Sequence, residues 1–243
     1  MEKGIKKKFI IIIAIIMVLV IAIITAISVG PMLFMTPAET GEFSNTSIYI
    51  LKNNKNNVFL INSTDGYILI DAGSSIKTIQ EELKTLNINE SDIKHILITH
   101  TDQDHIDGLS LFKNAKIHMN EDILQKEGSK SILFERNSLP EWIKVENVNL
   151  LTDEELILGD VKIKCIKTPG HTPGHMVYLV DDEYLFTGDA VEISENTLKQ
   201  HPFVMDEEKS KKSIKLIINI AKNCDYIFTG HYGYYKVEDL NLS

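Results

Sequence analysis

Residues 98–108 read Ile-Thr-His-Thr-Asp-Gln-Asp-His-Ile-Asp-Gly. Four side chains able to ligate a metal, His100, Asp102, Asp104 and His105, fall within six positions. Imidazole nitrogens and carboxylate oxygens together suit zinc, iron or manganese. Just upstream, Ile96-Leu97-Ile98 is a short apolar run of buried-strand type. A strand ending in His-x-Asp-x-Asp-His makes a poor core and a good ligand loop, and loops on rigid strands are where sites are built. Taken alone, such a turn also fits a solvated bend. Three more polar motifs follow, each after an apolar run: Thr168-Pro-Gly-His171-Thr-Pro-Gly-His175, Thr187-Gly188-Asp189 and Thr229-Gly230-His231.

In this order the four motifs resemble those of the metallo-β-lactamase superfamily, over about residues 44 to 235. Each of the later motifs is weak alone; the series is specific. In that family the loop usually reads His-x-His-x-Asp-His, and Asp102 stands where the second His is expected. The His-x-Asp-x-Asp-His form is similar to the metallo-β-lactamase-like domain of bacterial DNA-uptake channel proteins. A carboxylate also ligates zinc, manganese or iron, so the departure bears on the metal more than on the fold.

The resemblance implies an αββα sandwich, classed α/β (α+β), with the site at one edge between two sheets. It implies two divalent ions, zinc first, with iron or manganese as alternatives. His100, Asp102 and His171 would hold one; Asp104, His105 and His231 would hold the other; Asp189 would bridge them. Asp104 and Asp102 would be the catalytic carboxylates, Asp104 also orienting the attacking hydroxide. His175 is expected to support its turn rather than ligate. Asp71, in the run Tyr67 to Gly73, is expected to accept a hydrogen bond from a ligand or its neighbouring backbone. The implied reaction is hydrolysis of an ester, thioester, lactone, amide or phosphodiester by metal-bound hydroxide. Which bond is cleaved depends on the pocket, not the fold.

Rival readings start from the same residues. The oxygen-rich ligand set also resembles the diiron site of flavodiiron redox proteins, but 243 residues leave no room for their flavin domain. An anchored, non-catalytic metal-binding module is the reading outside enzymology. β-Lactam hydrolysis ranks below general hydrolysis because of the membrane anchor and Asp102.

The elements that must position these residues can be read in outline. Thr46 to Leu51, Asn57 to Ile61 and Tyr67 to Ile70 are β-type runs, separated by the turn Asn53-Asn54-Lys55-Asn56 and the hairpin signal Asp65-Gly66. Ser75 to Leu86 predicts a helix with Ile76, Ile79, Leu83 and Leu86 on its apolar face and Ser75 as cap. Ser91 to Lys94 suggests a further helical turn. His95 reads as structural, and His118, in the strand Ala115 to Met119, as a surface or core residue. Glu121 to Glu127 reads as a helix. Ile132 to Val145, with the sole Trp142, is a candidate pocket wall or lid, or ordinary packing.

Glu154 to Leu158 and Val161 to Lys167 predict a hairpin, and Met176 to Val180 and Tyr184 to Phe186 two more strands. Residues 191–206 read as an irregular insert from which His201 reaches the substrate side of the pocket. Glu207 to Ala221 predicts a helix and Tyr226 to Phe228 the last strand, with Tyr232, Tyr234 and Tyr235 after it at the pocket mouth.

Composition sets the outer limits. The net charge of −9 argues against a nucleic-acid partner held by a basic surface. Cys165 and Cys224 lack C-x-x-C spacing and read as small buried hydrophobes. At the N-terminus Lys3, Lys6, Lys7 and Lys8 precede an uncharged 21-residue run, Phe9 to Val29. As a helix it spans about 30 Å, the thickness of a bilayer's hydrocarbon core. The expected organisation is therefore a basic cytoplasmic segment (1–8), a transmembrane signal-anchor (9–29), a linker (30–43) and the domain (44–243). The lysines would stay in the cytoplasm and the domain outside the cell. Cleavage after the small-x-small Ala26-Ile27-Ser28 is the lesser alternative. The sequence names no substrate, protein partner or oligomeric state.

Overall fold

The computed structural model describes residues 12–24, 31–124 and 147–242. The chain divides into two compact units, Met1–Met35 and Thr36–Ser243. In the first unit helix α1 covers residues 12–24, and a 3-10 turn follows at Pro31–Phe34. Among the described residues no helix is long and apolar enough to cross a membrane. Residues 9–11 and 25–29 of the expected 9–29 span lie outside the described residues, as does the expected lid segment 132–145.

The second unit is built on two sheets. The first runs in the order β1 (Gly41–Glu42), β2 (Ile48–Asn53), β3 (Asn56–Ser63), β4 (Gly66–Ile70), β5 (Ile93–Leu97), β6 (Lys116–Asn120), β7 (Val148–Leu151). Its first four strands are antiparallel hairpin neighbours; from β4 onward neighbours are parallel. The second sheet holds β8 (Glu154–Leu158), β9 (Val161–Lys167), β10 (Met176–Val180), β11 (Tyr184–Phe186), β14 (Tyr226–Phe228) and β15 (Tyr234–Lys236). A separate hairpin joins β12 (Val191–Ser194) to β13 (Thr197–Gln200).

The strands alternate apolar faces, and three cores result. Ile48, Ile50, Phe59, Ile61, Ile68, Ile70 and Leu97 of the first sheet pack on Val161, Ile163, Tyr178, Phe186 and Phe228 of the second. Sheet packing through such residues is worth about 1.5–3 kcal/mol per fully buried large side chain. On the outer face of the first sheet lies α2 (Ile76–Thr85), which turns Ile79 and Leu83 inward. Ser75 caps it by accepting from the Thr78 N–H. The short helix α3 (Gln103–Ile106) carries Asp104 and His105, and on the outer face of the second sheet lies α4 (Glu207–Ala221), burying Ile217 and Ala221. Asp206 caps it, and Glu207 and Glu208 complement its N-terminal dipole. The layers are α, β, β, α.

Several expectations change. Residues 36–43 are not a free linker: Phe43 is buried between the sheets, and Ala38 exchanges two hydrogen bonds with the Asn57 amide. The insert 191–206 is largely the β12–β13 hairpin, whose turn places Glu195 and Asn196 at positive φ. Its alternation Val-Glu-Ile-Ser is a strand signal too short to stand out. Tyr234 and Tyr235 do not line a mouth; they form β15, and Tyr234 packs edge-on against Phe43 at 4.8 Å. The helix expected at 121–127 is a 3-10 turn over Glu121–Leu124, with 125–127 outside the described residues.

Candidate metal centre

Strand register brings the motifs to one edge. β4 and β5 are parallel, pairing Ile70 with Leu97, so Asp71 and His100 leave at the same end. β11 and β14 are parallel too, pairing Phe186 with Phe228. Asp189 and His231 each lie three residues beyond that pair and emerge side by side. The sheets are tied at this edge by Met176 N–H to Thr99 O at 2.8 Å and Asn57 N–H to Gly230 O at 2.7 Å. The turn bearing His171 is pinned from α4, where Ser213 Oγ donates to Pro169 O at 2.7 Å. Gly170 (φ +146°) lies so close to that helix that a Cβ would sit 2.4 Å from the Ser210 backbone. Only glycine permits the approach.

All seven expected ligands gather there. His171 Nε2 lies 3.1 Å from Asp102 Oδ2, and His100 Nε2 lies 3.6 Å from the same oxygen. On the other side His231 Nε2 lies 3.5 Å, and His105 Nε2 3.9 Å, from Asp104 Oδ2. Asp189 stands between, with Oδ2 3.0 Å from His231 Nε2 and 3.7 Å from His171 Nε2, and Oδ1 3.5 Å from His105 Nε2. The donor atoms of His100, His171 and Asp189 fall within 4.8 Å of one another, as do those of Asp104, His105 and His231. Donors placed tetrahedrally at about 2.0–2.2 Å from a metal lie about 3.4 Å from one another, close to these separations.

Each of these imidazoles is held by its far nitrogen. His105 Nδ1 is 2.8 Å from Asp71 Oδ2, His231 Nδ1 donates to Lys55 O at 2.8 Å, and His100 Nδ1 meets Thr99 Oγ1 at 2.9 Å. His171 Nδ1 donates to Phe203 O. Holding Nδ1 leaves Nε2 facing the site, the arrangement that orients metal-bound imidazoles. His100 Nε2, His105 Nε2 and Asp189 Oδ1 are buried with no hydrogen-bond partner among the described residues. Burying such atoms unsatisfied costs about 1–3 kcal/mol each, more for charged groups. A divalent cation removes that cost for all of them at once, so the donor set fits a metal centre.

The charge balance of the metal-free cluster points the same way. Burial would raise the Asp102 carboxyl, but hydrogen bonds from His100 and His171 hold it far below the usual carboxylate range. Burial opposes ionisation of Asp189 as well, and His231 and His105 outweigh it. His105 is pushed well up, because Asp189, Asp71 and Asp104 overcome its burial. His100 and His175 are pushed down, chiefly by burial. A cation bound here would compete with a proton for the same imidazole nitrogens.

Asp71 meets its expectation from both directions. Besides His105, it accepts from Thr99 N–H at 2.8 Å and from Thr99 Oγ1 at 2.8 Å. Its backbone is left-handed at φ +60°. His175 supports the turn, with Nδ1 3.0 Å from Thr168 Oγ1 and its ring stacked on His100. His118 is buried and linked to His95 at 3.0 Å, away from the cluster. Both cysteines are free and buried.

Two contributors were not legible in the sequence. Asn56 is buried and donates its amide to the Asp104 carbonyl. Lys55 supplies the carbonyl for His231. Both belong to the run Asn53–Asn56, whose composition announces only a turn. His201, expected on the substrate side, is instead 3% exposed with Nε2 3.7 Å from Asp189 Oδ2.

Residues 52–231 match the model of the metallo-beta-lactamase superfamily. The chain belongs to that superfamily and is one of its metallo-hydrolases. It is 31% identical over 160 residues to a probable metallo-hydrolase of Methanocaldococcus jannaschii, covering 65% of this chain and 66% of that protein. It is 26% identical to the N-acyl homoserine lactonase of Bacillus cereus, over 71% of this chain and 79% of the lactonase. Among solved structures, a subclass B3 metallo-beta-lactamase from a soil metagenome library shares the fold. Its TM-score is 0.61 at 23% identity, with 80% of each chain covered.

Proposed function

We propose that the chain is a dinuclear hydrolase in which His100, Asp102 and His171 hold one divalent ion and Asp104, His105 and His231 the other. Asp189 would bridge them. The observation that carries this reading is Asp189 itself: a buried carboxylate reaching one donor group with Oδ1 and both with Oδ2. Such ions, when bound, activate water near neutral pH and polarise a carbonyl or phosphoryl oxygen.

The residues divide the remaining work. Asp71 and the carbonyls of Lys55 and Phe203 hold three imidazoles in the tautomer that presents Nε2. The Asp104 side chain is 44% exposed, so water reaches it and it can accept the proton of an attacking water. Asp102 adds a third carboxylate to the centre, which keeps iron and manganese beside zinc as candidate metals. The scissile bond is an ester, thioester, lactone, amide or phosphodiester. The lactonase of Bacillus cereus and the hydroxyacylglutathione hydrolase of Buchnera aphidicola, 33% identical over 54% of this chain, put lactones and thioesters first among the substrates to try.

The test is a chromogenic panel of lactone, thioester, ester and phosphodiester substrates. It is run on the full chain after metal stripping and again after zinc, manganese or iron is restored. Hydrolysis of one class that vanishes on stripping and returns on reloading is expected. Turnover that survives complete stripping would refute metal dependence.

The uncharged run Phe9 to Val29 behind four lysines supports a second proposal: a signal-anchor holding the enzyme outside the membrane. Protease added to intact cells with a permeable wall should release the domain. Complete protection would overturn this topology.

A further inference from the structure

One imidazole beside the centre is assigned no role by the seven-ligand reading. His201 follows β13 and lies between the two donor groups. Its ring packs edge-on to His171 at 4.8 Å and stacks on His231 at 6.0 Å between centroids. His201 Nε2 is buried, has no hydrogen-bond partner among the described residues, and lies 3.7 Å from Asp189 Oδ2. The donor atoms of Asp189, His201 and His231 fall within 4.8 Å of one another, as those of the other two groups do.

The far nitrogen repeats the pattern of the other ligands. His201 Nδ1 lies 3.3 Å from Phe203 O, the carbonyl that also receives His171 Nδ1. The Phe203 N–H lies 3.4 Å from the same nitrogen, the longer of the two contacts. A proton on Nδ1 satisfies the carbonyl and leaves the Nε2 lone pair aimed at the cluster. Burial alone does not create this arrangement. His175 is equally buried with an unpartnered Nε2, yet it stacks behind His100 and belongs to none of the donor groups.

Resting on the dinuclear reading above, we propose that His201 is an eighth metal ligand, binding through Nε2 to the ion shared by Asp189 and His231. Its delivery from a separate hairpin couples the placement of 191–203 to metal occupancy. A fifth imidazole also shifts the donor balance toward borderline metals such as zinc and away from manganese.

The direct test is made on the unmodified full chain, labelled with ¹⁵N-histidine and loaded with ¹¹³Cd. Nitrogen–cadmium coupling is expected for five imidazoles, His201 among them. Coupling confined to His100, His105, His171 and His231 overturns the proposal, and no cadmium binding at all would instead sink the metal-centre reading. Alongside it, zinc affinity by chelator competition is compared for wild type, His201→Gln and His95→Gln, a histidine away from the cluster. The weaker zinc site should lose at least tenfold in affinity in His201→Gln. It should be nearly unchanged in His95→Gln. Equal affinities in wild type and His201→Gln would overturn the proposal.

Discussion

Replacing Asp71 by Asn keeps the shape and, because Asn tolerates left-handed backbone, keeps the φ of +60° as well. What changes is the acceptor inventory. The carboxylate accepts from Thr99 N–H, from Thr99 Oγ1 and from His105 Nδ1. An amide has one acceptor oxygen and one NH₂. If the oxygen faces Thr99, the NH₂ faces His105 Nδ1 and forces the proton onto Nε2, which then cannot bind metal. If the oxygen faces His105, the NH₂ meets the Thr99 N–H donor to donor. Either orientation loses a charge-assisted bond, worth about 1.5–3 kcal/mol, in a fully buried place. Metal affinity at the His105 side should fall about 10–100-fold, as for other groups that hold a ligating His. The apo protein should melt about 3–12 °C lower. Zinc affinity by chelator competition and apo melting by circular dichroism read the two effects separately. An Asp71→Asn variant with wild-type affinity and melting temperature would refute the claim that Asp71 sets the His105 tautomer.

Other perturbations probe other parts. Asp189→Ala should fold but retain neither its full metal complement nor activity; full activity would remove the bridging role. Gly230→Ala would place a Cβ 2.3 Å from Asp189 Oδ1 and 3.0 Å from His105 Cε1. It should therefore lower metal content without altering any ligand, which elemental analysis checks. Asp102→His should shift selectivity from manganese or iron toward zinc in competitive loading; an unchanged order would mean that the carboxylate does not set it.

His118 gives a pH prediction away from the centre. Burial, then His95 and Lys116, push its imidazole down to about 3 from an ordinary 6.5. Below 6.5 the unfolded chain takes a proton that the folded chain refuses. Stability present above 6.5 is therefore lost as the pH falls toward 3, at up to about 1.4 kcal/mol per unit. In urea unfolding of the zinc-loaded protein, wild type should lose about 2 kcal/mol more than His118→Asn between pH 7 and pH 5. Equal losses would contradict it.

The cluster of candidate ligands was legible because it is local in sequence. His100, Asp102, Asp104 and His105 fall within six positions, and His171, Asp189 and His231 each follow closely on a strand. Helices α2 and α4 carried an apolar stripe, and α2 its Ser75 cap as well. What escaped reading depends on distant pairing. The role of Asn56 exists only because a hairpin turn meets a loop 48 residues away. Phe43 reads as linker until both sheets close over it, and β15 reads as pocket-lining tyrosines until Tyr235 pairs with Ile227. His201 was expected at the pocket, but its place beside Asp189 follows from the β12–β13 hairpin, which no local pattern announces.

The most direct measurement of the central claim is the metal content of the full chain purified without added metal. Elemental analysis with protein quantified by amino-acid analysis should find two equivalents of divalent metal per chain. Two of zinc or manganese match the hydrolase, and two of iron with an oxygen-sensitive spectrum would favour the redox alternative at the same centre. A folded protein that binds no metal, even after reconstitution, would contradict the account.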